Sequence, residues 1–287
     1  MKNEGCFFRF GGMTFALYGA KPLTNTESLL AQFFVPSTAH PDVEIYAEKA
    51  EILPLPRHAS LLHEAYGLRV FETETERFLC YRDTDKAEHR EYAVVRCCKL
   101  HPETLYMTIS EARYRFSAER LLSGMAIESL LLRHHRGILH AACIEYQGGA
   151  ILFSGECGCG KSTQAALWKA QTGADIRNGD KTLLWCKPRE ILACGLPFAG
   201  TSGICTEFQL PVRVIVFPVH AAENRAERLT PAQAAKLLLS QLPVQVWSRE
   251  DVQNALTLAT ELAQRISVYR LFCRPEEAAV TTLRAVI

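Results

Sequence analysis

Residues 150–171 read AILFSGECGCGKSTQAALWKAQ and carry most of the information about the fold. The apolar run 150–154 predicts a buried strand, and residues 163–171 predict a helix. Between them, residues 155–162 match G-x-x-x-x-G-K-[S/T] at every fixed position. A strand before this motif and a helix after it are the context in which it binds phosphate, so the sequence predicts a P-loop (Walker A motif).

Each fixed residue of this motif has a physical role. Its glycines allow backbone conformations closed to other residues, and successive backbone N–H groups can then surround phosphate oxygens. Lys161 is expected to reach the β- and γ-phosphates, and the Ser162 hydroxyl to bind Mg²⁺. The predicted nucleotide-binding residues are Gly155, Glu156, Cys157, Gly158, Cys159, Gly160, Lys161, Ser162 and Thr163. We therefore expect a protein that binds a nucleoside triphosphate together with magnesium.

A second acidic group should hold the metal ion or its waters, and Asp180 is the best candidate. It stands in Asn178-Gly179-Asp180-Lys181, just before the apolar run 182–185. Asp180 could bind the metal, or it could accept the proton of an acceptor hydroxyl. The alternative is an ordinary turn, because Asn-Gly and Gly-Asp are turn dipeptides.

Several other features could belong to the same site. His140 lies in the strand-like run 138–146, where a lone histidine is more commonly a core residue. Residues 195–203 form a loop of small residues that could contact substrate or phosphate, or could be an ordinary surface loop. Arg225 and Arg228 could neutralise a transferred phosphate, although charged stretches more commonly form a solvated face.

Composition narrows the class of protein. The formal net charge of +1 gives no electrostatic reason to expect binding to nucleic acid or to a membrane. No signal peptide or transmembrane run is visible, and the 11 cysteines are an odd number, so we expect a cytoplasmic protein without a disulfide framework. Cys157 and Cys159 precede a helix, which can lower a thiol pKa, so their redox sensitivity is a hypothesis.

The pattern along the chain predicts two domains. Residues 1–115 are β-rich, with a hairpin of Cys6–Phe10 and Met13–Tyr18 and further strands at 43–46, 92–97 and 104–109. Residues 116–287 alternate strands and helices and contain the P-loop. The predicted elements of this second part, besides those around the P-loop, are helices at 118–135, 232–241, Arg249–Arg265 and 275–286 and strands at 213–219 and 268–273.

Residues 139–167, LHAACIEYQGGAILFSGECGCGKSTQAAL, resemble the catalytic domain of HPr kinase/phosphorylase. The segments NGDK (178–181), GLPFAGTSG (195–203) and ENRAERLTP (223–231) resemble those of HPr-kinase-related proteins of bacteria. The resemblance covers roughly residues 117–287 and implies a mixed sheet related to that of phosphoenolpyruvate carboxykinase. It also implies ATP, magnesium and phosphoryl transfer to a serine or another hydroxyl, with His140 near the phosphate.

The chain departs from this family at one site position and in its substrate-binding region. HPr kinase has paired acids in its second motif, whereas here Gly179 takes the first place and only Asp180 remains. The family's signature region for HPr is not recognisable, so HPr itself is not the expected substrate. Residues 1–115 do not resemble that enzyme's N-terminal domain.

The leading hypothesis is therefore an ATP- and Mg²⁺-dependent kinase, with Asp180, Lys161 and His140 as its catalytic residues. Its acceptor would be a small hydroxylated molecule or a serine of a peptide or protein. The alternatives are a nucleotide-binding regulatory or interaction protein with little turnover, and a P-loop ATPase. A homo-oligomer is expected only by analogy, because HPr kinases are hexamers.

Overall fold

The computed structural model describes residues 5–19, 29–38, 40–82, 91–111, 122 and 125–287. Contacts divide the chain into two compact units, Met1–Leu130 and Leu131–Ile287. The domain boundary expected after residue 115 falls in a stretch outside the described residues, so it stays a prediction. Among the described residues, no helix combines the length and the apolar character needed to cross a membrane.

The first unit is built on one eight-stranded mixed sheet. Its strands are β1 (Cys6–Phe10), β2 (Met13–Tyr18), β3 (Val43–Ala50), β4 (Ser60–Ala65), β5 (Leu68–Glu72), β6 (Glu76–Arg82), β7 (Glu91–Cys98) and β8 (His101–Ser110). They lie in the order β1-β2-β3-β8-β7-β6-β5-β4, with β3 parallel to both of its neighbours and every other pair antiparallel.

The predicted hairpin of β1 and β2 is confirmed, and Gly11 and Gly12 form its turn with positive φ. The strands expected at 43–46, 92–97 and 104–109 are also present, as parts of longer strands. No strand was predicted between residues 50 and 90, yet β4, β5 and β6 lie there. Most of β4 is exposed, so its sequence shows no regular alternation of apolar and polar residues.

The second unit alternates strands and helices. Its strands are β9 (Arg136–Tyr146), β10 (Gly149–Ser154), β11 (Asp175–Asn178), β12 (Lys181–Cys186), β13 (Ile191–Cys194), β14 (Gln209–His220), β15 (Arg225–Arg228) and β16 (Ser267–Cys273). Its helices are α2 (Lys161–Thr172), α3 (Pro231–Ser240), α4 (Arg249–Arg265) and α5 (Glu277–Arg284), and α1 (Ile127–Arg133) crosses the division between the units. The mixed α/β class is as predicted.

Five strands of this unit pair in a closed ring. Strand β10 pairs with β9 antiparallel and with β14 parallel, and β12 and β13 complete the ring between β9 and β14. Strand β16 continues the sheet beyond β14 as a further parallel neighbour, and β15 pairs with β16. All six residues of β10 are buried, as expected for a strand with neighbours on both edges and helices on both faces.

The helices begin where their capping residues indicate. Thr230 and Gln233 form a reciprocal capping box at the start of α3, and the Ser248 hydroxyl accepts the backbone N–H of Asp251 at the start of α4. Helix α2 begins at Lys161, two residues before the predicted start. The helix expected over 118–135 appears as α1, and most of its predicted first part lies outside the described residues.

Candidate functional site

The loop between β10 and α2, residues 155–160, is here called the glycine loop. Gly155, Gly158 and Gly160 adopt φ angles of 137°, 81° and 102°, in the region that favours glycine. A Cβ added to Gly155 would lie 2.9 Å from the sulfur of Cys159. The predicted strand–loop–helix arrangement is therefore present, and its tight course depends on these glycines.

Lys161, the first residue of α2, is hydrogen-bonded to this loop. Its side chain is 8% exposed, and its Nζ donates hydrogen bonds to the carbonyl oxygens of Gly155 (2.8 Å) and Glu156 (2.9 Å). An ammonium group has three donors, so one remains for a ligand. Ser162 and Thr163, in the first turn of α2, are exposed. A cation and two hydroxyls therefore meet at the start of a helix, where anions are stabilised.

His140 and Asp180 lie beside one another on the neighbouring strands. In the pairing of β9 with β12, His140 stands opposite Lys181, and its Nε2 lies 3.4 Å from the Oδ1 of Asp180. The His140 carbonyl accepts the Ser154 hydroxyl at 2.9 Å, which ties this position to the strand that leads into the glycine loop. His140 is 35% exposed, so the interpretation as a fully buried core histidine is wrong.

Charged neighbours and burial both affect the pKa of His140. Burial lowers the pKa of His140 from its usual 6.5, the positive charge of Lys161 lowers it further, and the charge of Asp180 opposes both. The imidazole is therefore neutral at pH 7. A neutral imidazole can accept a proton or orient the carboxylate beside it.

Asn178 fixes the backbone at Asp180. Its side chain is fully buried, and its Oδ1 accepts the N–H groups of Asp180 (2.9 Å) and Lys181 (3.0 Å). Its Nδ2 donates to the carbonyl oxygen of Phe198 at 3.0 Å. The Asn-Gly-Asp segment is thus a turn, and this turn presents Asp180 towards His140. A role for Asp180 in binding metal or accepting a proton stays a prediction.

The loop of small residues, 195–203, packs against this turn. A Cβ added to Gly200 would lie 2.6 Å from the Cβ and Cγ of Asp180. A Cβ added to Gly179 would lie 2.1 Å from the Oγ of Ser202, which itself donates to the carbonyl oxygen of Ala199 at 2.8 Å. The position at which HPr kinase carries its first acid therefore has no room for a side chain here.

Two neighbouring cavities lie at the candidate site, and the second of them adjoins the glycine loop. One of about 310 Å³ is lined by His140, Asp180, Lys181 and Gln241. The other, of about 480 Å³, is lined by Gly155, His220, Leu237, Gln241, Arg270 and Phe272. The backbone N–H of His140 donates to the Gln241 carbonyl oxygen at 3.0 Å, and the Nε2 of His220 lies 3.1 Å from the Gly158 carbonyl oxygen.

Four residues at the site were not predicted from the sequence: Asn178, His220, Gln241 and Arg270. His220 ends β14, and ligands bind at the carboxyl ends of parallel strands, so a polar residue at that end was an available signal. Arg270 lies in the middle of β16, where no such signal marks it. Asn178 opens a turn that its side chain can stabilise. Gln241 is the C-cap residue of α3, and no sequence pattern marks it as a site residue.

Arg225 and Arg228 lie on the edge strand β15. Arg225 donates to the Glu227 carboxylate at 3.0 Å, its guanidinium stacks on Phe272 at 4.3 Å, and Arg228 is exposed. In the described residues neither arginine contacts the glycine loop. A role for them in neutralising phosphate stays a prediction.

The two loop cysteines differ in exposure: Cys157 is exposed, and Cys159 is partly buried. Burial raises the pKa of the Cys159 thiol, although Lys161 and backbone hydrogen bonds oppose the increase. Burial therefore outweighs the lowering of the thiol pKa that a helix N-terminus can cause, so Cys159 is a neutral thiol at pH 7. Redox sensitivity of either cysteine stays a hypothesis.

Known proteins give little direct evidence about this chain. No family model matches it, and no curated protein matches it. Among solved structures, the Hpr(Ser) kinase/phosphatase from Coxiella burnetii matches with 12% identity and a TM-score of 0.29, over 52% of this chain and 90% of that one. At this TM-score the likeness assigns neither a fold nor an activity, so the function has to be inferred from the residues of the site.

Proposed function

We propose that this protein is an ATP- and Mg²⁺-dependent phosphotransferase of the HPr-kinase-like type. Its acceptor would be a serine or the hydroxyl of a small molecule, and not HPr. One observation carries the proposal: the Nε2 of His140 lies 3.4 Å from the Oδ1 of Asp180, and the His140 carbonyl accepts the hydroxyl of Ser154, the last residue before the glycine loop. A phosphate-binding loop, a cation and an acid–imidazole pair thus meet at one place.

The glycine loop would bind the triphosphate. With three glycines at positive φ, the loop can turn backbone N–H groups towards phosphate oxygens, and the first turn of α2 adds its partial positive charge. Lys161 is already held in place by two loop carbonyls, so binding a phosphate costs it little side-chain entropy.

The residues present also fit magnesium. The described residues contain no group of three or more His, Cys, Asp or Glu side chains able to hold a metal ion. Mg²⁺ does not require such a group, because it commonly keeps several waters and binds one or two carboxylates plus substrate phosphates. Ser162 and Asp180 would supply the protein ligands, and the ion would neutralise charge on the phosphate that is transferred.

Asp180 and His140 are the candidates for accepting the proton of the acceptor hydroxyl. The neutral imidazole of His140 lies 3.4 Å from the Asp180 carboxylate, so one group can take the proton while the other orients it. The cavity lined by His140, Asp180 and Lys181 leaves room for an acceptor beside both groups. Phosphoryl transfer needs little more from the protein than this positioning and charge stabilisation.

A second function has one specific observation in its favour. Because the place of the first acid has no room for a side chain, the site keeps a single carboxylate where HPr kinase has two. A nucleotide-binding regulatory protein with little turnover would need only the loop. An ATPase would transfer the phosphate to water instead of to an acceptor.

The decisive experiment incubates the protein with γ-labelled ATP, Mg²⁺ and a cell extract, and identifies what becomes labelled. Lys161→Ala should lower labelling by at least about 100-fold. Lys169→Ala, an exposed lysine on the same helix, is the matched control and should label normally. Label found only in inorganic phosphate would indicate an ATPase, and ATP binding without any turnover would indicate the regulatory function. Normal labelling by Lys161→Ala would contradict the proposal.

A further inference from the structure

The second unit contains four arginines that are buried or partly buried among the described residues. Three of them have partners: Arg133 donates to Glu250 at 2.9 Å, Arg136 donates to the His134 carbonyl oxygen at 2.6 Å, and Arg177 pairs with Glu145. The side chain of the fourth, Arg270, forms no hydrogen bond, ion pair or ring contact with any described residue. A guanidinium that no internal carboxylate holds is available to bind an anion such as a phosphate.

The nearest candidate for an internal partner is already engaged. Glu227 stands directly opposite Arg270 in the pairing of β15 with β16, but its carboxylate accepts the guanidinium of Arg225 at 3.0 Å. Arg270 instead lines the cavity of about 480 Å³ that begins at Gly155 of the glycine loop. Cavities of this size commonly hold small-molecule ligands.

The position of this cavity indicates which part of a ligand it receives. Strand β10, which leads into the glycine loop, lies between β9 on one edge and β14 on the other. His140 and Asp180 lie on the β9 side, and Arg270 lies on the β14 side, on β16. The acid and the unpaired arginine are therefore on different edges of strand β10.

A nucleoside triphosphate is a linear chain with the nucleoside at one end. If Lys161, Ser162 and Asp180 hold the γ-phosphate, the chain must leave the loop in the direction away from Asp180. That direction leads past β14 to the cavity lined by His220, the last residue of β14, and by Arg270 and Phe272 of β16. The cavity is lined by apolar side chains together with Arg270, Glu156 and His220. It therefore offers an apolar surface to a ring system and a guanidinium to a phosphate.

We propose that this cavity is the nucleoside pocket and that Arg270 binds the nucleotide at its nucleoside end, through the α-phosphate or by stacking on the base. The acceptor then enters through the neighbouring cavity at His140 and Asp180, which shares Gln241 with the nucleoside pocket. This inference rests on the proposed nucleotide-binding function, and it adds a specificity-determining residue outside the P-loop motif.

The test measures the affinities of ATP and ADP, each with Mg²⁺, by calorimetry for the wild type, Arg270→Gln, Arg270→Lys and Arg274→Gln. Arg274 is exposed, and its side chain is the matched control. Arg270→Gln should weaken ATP and ADP by the same factor, about 10- to 100-fold, because both nucleotides share the α-phosphate and the base. Arg270→Lys should keep part of the affinity, and Arg274→Gln should keep all of it.

Each other outcome is informative. Weaker binding of ATP alone would place Arg270 at the γ-phosphate and overturn the pocket assignment, and unchanged binding of both nucleotides would remove Arg270 from the site. A wild type that binds neither nucleotide would contradict the proposed function itself. Folding is checked on the same samples, because replacing an unpaired arginine should not lower the unfolding temperature of the nucleotide-free protein. ADP should raise that temperature less in Arg270→Gln than in the wild type.

Discussion

The two sides of the candidate site are built in different ways. The glycine loop is a single run of six residues, and its course follows from three glycines, the strand before it and the helix after it. The acid side is assembled from distant segments: His140 from β9, Asp180 from the turn before β12, and Gly200 from a loop that packs on that turn. A local motif can be identified from sequence spacing. A site formed by distant segments can also be disrupted by substituting residues that neither bind a ligand nor take part in the reaction.

The largest effect that separates the two sides is expected from Gly200→Ala. The added Cβ would lie 2.6 Å from the Cβ and Cγ of Asp180, so the carboxylate must move. A displacement of about 1 Å can reduce the rate about 100-fold. Phosphoryl transfer should therefore fall by about that factor, while ATP affinity should change little because the glycine loop is untouched. Steady-state rates and calorimetry measure the two quantities.

Gly203→Ala is the matched control for this substitution. Gly203 has φ of 67° against 55° for Gly200, but nothing lies within 4 Å of its added Cβ. Both variants therefore carry similar backbone strain, of about 1–2 kcal/mol, and only one of them displaces Asp180. Equal activity in the two variants would show that Asp180 is not held in place by this loop.

The same contrast explains how much could be predicted from the sequence. The P-loop motif, the helix after it and the capping residues of α3 and α4 are local, so short patterns predicted them closely. Asp180 was selected by its place before an apolar run. Its contact with His140 depends on the register of β9 against β12, which no short pattern encodes.

Arg270 illustrates a different limit. Its importance lies in the absence of a partner, and a missing partner becomes visible only when all neighbouring side chains are placed. The strands of the first unit between residues 50 and 90 were missed for a related reason. Their residues are held by pairing with neighbouring strands, and much of β4 is exposed, so burial leaves little trace in its sequence.

A smaller effect, on stability, is expected from filling the place of the missing acid. Gly179→Ala puts a Cβ 2.1 Å from the Oγ and 2.6 Å from the Cβ of Ser202. Overpacking of this kind costs about 1–3 kcal/mol in the free energy of unfolding. Ser202→Gly removes both clashing atoms, so the double variant should recover most of the loss in urea unfolding. Additive effects of the two substitutions would mean that Gly179 and Ser202 do not meet.

The smallest expected effects concern the pKa of His140. They test whether this side chain lies between Lys161 and Asp180. Because Lys161 lowers the pKa of His140, Lys161→Ala should raise that pKa. Because Asp180 raises it, Asp180→Asn should lower it further. NMR titration of the imidazole measures both shifts, with His140→Gln identifying the signal among the nine histidines. Shifts of the same sign in the two variants would contradict this placement.

The lowered pKa of His140 also has a consequence for stability. The folded protein binds this proton less readily than the unfolded chain, whose histidine titrates near the usual value of 6.5. His140 therefore contributes nothing to the pH dependence of stability well above pH 6.5, and it destabilises the folded state as the pH falls through that value. Urea unfolding between pH 8 and pH 5 should show a shallower loss of stability for His140→Gln than for the wild type. If the free energy of unfolding depended on pH equally in the two proteins, burial would not lower the pKa of His140. The acid side of the site would then be more open to solvent than the glycine loop.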